Sequence, residues 1–158
     1  MNLQKFFNAQ EEANNKLIIN EKLSDYQLTA RRFLALHTKI SELANETKCF
    51  KFWKDSQEEL ISRENVMVKY IKCLSCILNI GLDKKYTDLE DIEIRPNDYC
   101  LSDQFLNILI DLNDLIISPS QDHYKTLLED FVSIGISLGY SEKIIEDMFF
   151  SDIYSLSR

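Results

Sequence analysis

The chain has 158 residues, 45% hydrophobic and 28% charged, the balance of an ordinary globule with room for one domain over residues 1–158. It holds only three glycines and two prolines, too few for the turns of an all-β or doubly wound fold, so an all-α bundle is expected. Eighteen basic residues against 26 acidic ones, with a pI near 4.8, exclude a general nucleic-acid binder, which needs positive charge against phosphate.

Met1–Gln10 carries one lysine and no long apolar run, so no secretory pattern opens the sequence. Apolar stretches fall short of a membrane span, and no membrane attachment is expected. Four cysteines (Cys49, Cys73, Cys76 and Cys100) without such a pattern predict reduced thiols and a cytoplasmic protein.

About six helices are predicted. The first runs from Met1 to about Leu17, with Phe6, Phe7 and Gln10 along it. Ser24 followed by Gln27 is a capping box, and Phe33, Leu36, Ile40, Leu43 and Thr47 then fall at three- and four-residue steps on one face. Lys48–Lys54, dense in aromatic and basic residues, reads as the exit from this second helix. Ser56 with Glu59 predicts a cap opening a third helix to about Ile80, stopped by Gly81. Val66, Tyr70, Cys73, Ile77 and Ile80 form one apolar stripe on it, and Met67, Ile71, Leu74 and Leu78 form another. A helix so apolar belongs in the middle of a bundle. Its remaining seam is Lys69, Lys72, Cys76 and Asn79.

Residues 83–100 read as a long polar loop with a short extended piece at Ile92–Ile94. A fourth helix follows through Phe105, Ile108, Leu112 and Leu115, capped by Ser102 and closed before Pro119. A fifth carries Tyr124, Leu127, Leu128 and Phe131 to a stop at Gly139, and Ser141 caps the last. No internal repeat is visible.

Two stretches carry a resemblance. Ser41-Glu-Leu-Ala-Asn-Glu-Thr-Lys-Cys-Phe-Lys-Phe-Trp53 resembles the signature of the dimeric, all-α dUTP pyrophosphatases of the MazG-like group. Ile77-Leu-Asn-Ile-Gly-Leu82 resembles the end of that family's next helix, and Gln10 resembles a family glutamine near the base pocket. The resemblance implies a homodimeric helical bundle that hydrolyses dUTP to dUMP and pyrophosphate with Mg²⁺. It also implies four metal-holding carboxylates in two helical pairs, since Mg²⁺ takes oxygen ligands and a three-residue step puts both members on one face.

At those positions the sequence departs from the family. The first pair falls on Lys39 and Glu42 and the second on Lys69 and Lys72, while a family histidine falls on Ser75. Glu42 alone keeps its acid. The four positions therefore carry about +2 where the family carries about −4, and a like-charge contact costs about 4 kcal/mol even at an effective dielectric of 20. The family's phosphate-closing C-terminal motif falls on Met148-Phe-Phe-Ser-Asp-Ile-Tyr-Ser-Leu-Ser-Arg158, where only Arg158 matches.

The expectation is a pseudoenzyme with no catalytic residues, no metal and no cofactor, acting through protein–protein contacts or regulation; the resemblance also suggests a phage or mobile-element origin, where such family members are common. Glu42 is expected to pair with Lys69 or Lys72. Two alternatives stay open. One is a metal-independent nucleotide binder, with the lysines as point charges for a dUTP-like triphosphate and Gln10, Lys51, Trp53 and Arg158 as further contacts. The other is an active Mg²⁺-dependent pyrophosphatase with an atypical ligand set: Asp55, Glu58, Glu59 and Glu64 lie close upstream of the third helix, and a shifted register would bring Glu64 towards the pocket. Phe50, Phe52 and Trp53 read either as the segment beside the uracil, as the resemblance implies, or as a core plug. Cys73-x-x-Cys76 in mid-helix reads as packing rather than redox or zinc chemistry. His37 and His123 read as surface or cap residues.

Overall fold

The computed structural model describes residues 1–54, 60–89 and 91–155. Six α-helices lie among them: α1 (Leu3–Asn14), α2 (Asp25–Thr47), α3 (Arg63–Lys84), α4 (Leu101–Ile117), α5 (Gln121–Ser137) and α6 (Glu142–Ser155). Two antiparallel-packed pairs dominate, α2 along α3 and α4 along α5, with α1 and α6 on the outer side of α3. The all-α expectation holds, and α3, which touches α1, α2, α5 and α6, is the central helix. Both of its predicted stripes are buried apart from half-buried Met67. By length and composition α3 could cross a membrane, contrary to the sequence expectation, but 56% of that window is buried inside the bundle.

Local chemistry sets most boundaries. The Ser24–Gln27 box is complete: Gln27 N donates to Ser24 Oγ at 3.2 Å, and Ser24 N donates to Gln27 Oε1 at 2.9 Å. The second helix exits where expected, at Lys48, whose φ of 54° ends it in the left-handed region. Ser120 and Ser141 accept from the first turns of α5 and α6. Four expectations are corrected. α1 stops at Asn14 rather than Leu17, where Lys16 N and Leu17 N bond back to Ala13 O and Asn14 O in a tighter turn, and Leu17 is left exposed. α3 begins at Arg63, with Ser62 Oγ accepting from Asn65 N; Ser56 and Glu59 lie outside the described residues, as do Asp55 and Glu58. α4 is preceded by Cys100 rather than Ser102, which is already helical, and Gln104 Nε2 ties its first turn to the Tyr99 carbonyl at 2.7 Å. α3 also runs a turn past Gly81 to Lys84, so Gly81 is not its stop.

Gly81 has another role. A Cβ there would lie 2.6 Å from Tyr124 Cζ, so α5 can place Tyr124 against α3 only because residue 81 has no side chain. The Tyr124 hydroxyl donates to the Ile77 carbonyl at 3.1 Å. The reverse contact is also made. Tyr70 of α3 donates to the Phe131 carbonyl of α5 at 3.5 Å, over Gly135, where a Cβ would lie 2.6 Å from Tyr70 Cζ. Tyr86 packs on Tyr124 and Tyr140 on Tyr70, each with ring centroids 5.6 Å apart. Both helices end alike: Tyr86 N donates to Gly81 O and Tyr140 N to Gly135 O, with Lys85 (φ 60°) and Gly139 (φ 88°) in the left-handed region. Every one of these residues has its counterpart 54 positions further on (70 to 124, 81 to 135, 86 to 140). The structure thus holds a two-fold exchange between α3 and α5 where the sequence showed no repeat.

In the long loop Ile92 is buried, and an antiparallel bridge joins Asp91 to Asn2, so the extended piece serves to plug the α1 side of the core.

Candidate functional site

The α2–α3 pair turns one polar seam outward, and the four positions singled out in the sequence meet there. Lys39 and Glu42 are one turn apart on α2, and Lys69 and Lys72 one turn apart on α3, since a three-residue step returns to the same face. Lys39 Nζ lies 3.2 and 3.0 Å from the two Glu42 oxygens, and Lys69 Nζ lies 3.0 Å from Glu42 Oε2. Glu42 thus pairs with Lys69, as expected, and with Lys39 as well. Lys69 first and then Lys39 hold its carboxyl below the usual carboxylate range through these hydrogen bonds.

Lys72 has a partner the sequence reading missed. Its Nζ lies 2.9 Å from both oxygens of Asp152, on the last turn of α6 and 80 residues away. Asp152 falls within the C-terminal stretch compared with the family's closing motif, yet nothing in the spacing links it to Lys72. Three ammoniums and two carboxylates leave the cluster at about +1 in a chain of net −8. All five side chains are between 25% and 37% exposed, so the cluster is open to solutes.

This donor set does not fit Mg²⁺. The ion demands near-octahedral oxygen ligation, and both carboxylates here are already engaged by ammoniums that would repel it. Among the described residues no group of three or more His, Cys, Asp or Glu side chains is arranged to hold a metal. Glu64, the one described acid of the alternative ligand set, stands exposed in the first turn of α3.

The other singled-out residues are dispersed. Gln10 is 5% exposed on α1; its Nε2 donates to Asn14 Oδ1 at 3.0 Å, and its Oε1 is buried without a partner. Ser75 Oγ and Asn79 Oδ1 on α3 are likewise buried and unpartnered. Arg158 lies outside the described residues. Phe50, Phe52 and Trp53 are 46%, 93% and 47% exposed, which removes the core-plug reading. They form a surface aromatic cluster, with Phe52 edge-on to Trp53 at 5.0 Å and Lys51 Nζ 5.9 Å from the Trp53 ring centre. A left-handed residue at Lys48 turns this segment away from the core, and Thr47 holds the turn by donating to Ala44 O and accepting from Cys49 N.

Cys73 is fully buried, and burial pushes its thiol well above the ordinary range; Cys76 beside it is raised for the same first reason. Neither is a reactive thiolate. His123 is a cap residue, its Nδ1 2.7 Å from the Ser118 carbonyl, and His37 lines surface grooves on α2.

Residues 2–152, nearly the whole chain, match a protein family described as dUTPase. No curated protein and no solved structure matches the chain. The six-helix architecture agrees with the family match, and the chain belongs to the all-α dUTPase family.

Proposed function

We propose that this protein is a non-catalytic member of its family that acts through protein contacts instead of hydrolysing dUTP. The observation that carries the reading is the double engagement of Glu42 by Lys39 and Lys69, with Lys72 held by Asp152. Ammoniums stand where an attacking water and a triphosphate would need divalent cations. Contact surface is plentiful. Tyr26 and Leu34 of α2, both more than half exposed, and Ile116 of α4 line an apolar groove of about 500 Å³, and a homodimer would cover them. The aromatic cluster at Phe50, Phe52 and Trp53 is a second such surface. The setting proposed is the cytoplasm, where the four cysteines, all free in the structure, stay reduced.

A retained nucleotide is the second reading. The buried, unpartnered Gln10 Oε1, Ser75 Oγ and Asn79 Oδ1 favour it, because such atoms are costly unless something polar meets them.

Pyrophosphate release from dUTP by the purified protein with Mg²⁺ tests the first reading. No turnover is expected. Turnover abolished by a chelator would overturn it.

A further inference from the structure

We propose that a second pocket, at one end of the bundle, binds a small carboxylic acid with an apolar body, its carboxylate on Arg63 and Tyr140 and its hydrocarbon against Val66 and Leu138. This site is independent of whether the α2–α3 lysine seam is catalytic. Its volume is about 430 Å³, and it opens where α2 ends at Thr47, α3 begins at Arg63, α4 begins at Leu101 and α5 gives way to Leu138 and Gly139. Lys72 follows Arg63 by about two and a half helical turns, so the two cations leave α3 on opposite sides and the pocket is separate from the seam.

The polar groups of the pocket are few. The Thr47 hydroxyl is spent on Ala44 O and Cys49 N. Arg63 makes no ion pair or hydrogen bond among the described residues, and the Tyr140 hydroxyl makes no hydrogen bond there. Glu64 is no partner for Arg63, because consecutive residues of a helix do not face each other. Arg63 also opens α3, the end at which the helix dipole disfavours a cation. Burial raises the Tyr140 phenol, and Arg63 is close enough to offset that in part. The phenol therefore stays protonated at neutral pH and is free to donate.

A carboxylate satisfies both donors. The guanidinium meets its two oxygens as a fork, and the phenol donates to one of them. Apolar walls require the rest of the ligand to be apolar, and a pocket of this size takes a small molecule. The site is built in advance. Tyr140 stands edge-on to Tyr70 with ring centroids 5.6 Å apart, and its N donates to Gly135 O at 2.9 Å. Ser62 Oγ, accepting from Asn65 N, fixes the turn that carries Arg63. Gly139 leaves the entrance clear, since a Cβ there would meet nothing within 4 Å.

The test is a titration of the intact protein with octanoate, followed through backbone amide NMR shifts. Saturable shifts are expected at Leu138, Gly139 and Tyr140. Acetate, which lacks the apolar body, and octanol, which lacks the charge, should each bind at least about tenfold more weakly. Arg63→Met keeps an apolar stem and removes the charge, and should weaken octanoate by at least about tenfold; Tyr140→Phe should weaken it about threefold or more. Neither the guanidinium nor the hydroxyl is hydrogen-bonded among the described residues, so both variants should melt with the parent protein and report on the ligand alone. An absence of saturable binding, an affinity indifferent to Arg63, or shifts confined to the groove at Tyr26 and Leu34 would each overturn the proposal. Hydrolysis of dUTP with Mg²⁺ would overturn only the non-catalytic reading of the seam.

Discussion

Tyr124 lies directly over Gly81, its hydroxyl bonded to the Ile77 carbonyl of α3 at 3.1 Å, and Tyr70 repeats the arrangement over Gly135 on α5. Both phenols are fully buried, and that burial pushes their ionisation far above the ordinary range. Gly81→Ala and Gly135→Ala should each overpack this contact and cost about 1–3 kcal/mol. In thermal unfolding that is a loss of about 2–4 °C per kcal/mol for a chain of this size. Tyr124→Phe should cost more than Tyr70→Phe, whose bond is longer at 3.5 Å. A negligible effect of either glycine substitution would mean the helices slide apart freely there.

Lys85 and Gly139 occupy equivalent left-handed positions at the ends of α3 and α5, but only one is glycine. A side chain in that region costs about 1–2 kcal/mol. Lys85→Gly is therefore expected to stabilise the protein by about 1 kcal/mol, seen as a higher denaturant midpoint at unchanged slope. Gly139→Ala should do the reverse on conformational grounds alone, since a Cβ there meets nothing within 4 Å.

Asp111 of α4 is half-buried, with Oδ2 lacking a partner, and faces Asp130 of α5, with Asp114 and His123 nearby. Burial first, and the neighbouring Asp130 second, push its carboxyl up to about 7. A raised folded-state value means the native protein holds the proton more tightly than the unfolded chain. Stability should then fall as pH rises from about the ordinary aspartate value to about 7. Asp111→Asn should flatten the profile in urea titrations across that window. An unchanged profile would show that the pair is solvated.

Glu42 has the opposite sign. Lys69 and Lys39 lower its carboxyl, so its contribution is present above the ordinary glutamate value of 4.5 and is lost as pH falls through the lowered one. Glu42→Gln should remove that acid-side loss, read from unfolding midpoints between neutral pH and about pH 3.

Restoring acids through Lys39→Glu, Lys69→Glu and Lys72→Asp places five carboxylates together with Glu42 and Asp152. The variant should melt below the parent protein in chelator and recover on adding Mg²⁺, because binding to the native state alone raises the melting temperature. Recovery would show that little beyond the charges was lost. No response to Mg²⁺ would mean the change extends further, to the seam around Ser75 and Asn79.

The sequence by itself determined what is local or periodic. The Ser24 cap, the buried face of α2 and the two stripes of α3 follow from short-range hydrogen bonds and the 3.6-residue turn, and all are present. The motif placed Lys39, Glu42, Lys69 and Lys72 in correspondence with a metal site, and helical spacing alone brings each pair onto one face. Only the tertiary structure decided what lies opposite. Asp152 reaches Lys72 because α6 folds back on α3 across 80 residues, and no pattern within α6 encodes that. The aromatic run at Phe50–Trp53 looks the same in sequence whether it faces the core or the solvent; the left-handed turn at Lys48 sends it outward. Gly81 read as a helix stop because glycine ends helices more often than it admits a tyrosine. The exchange between α3 and α5 stayed hidden for a related reason, since it needs only two tyrosines and one glycine per helix at fixed spacing while packing lets the residues between them diverge.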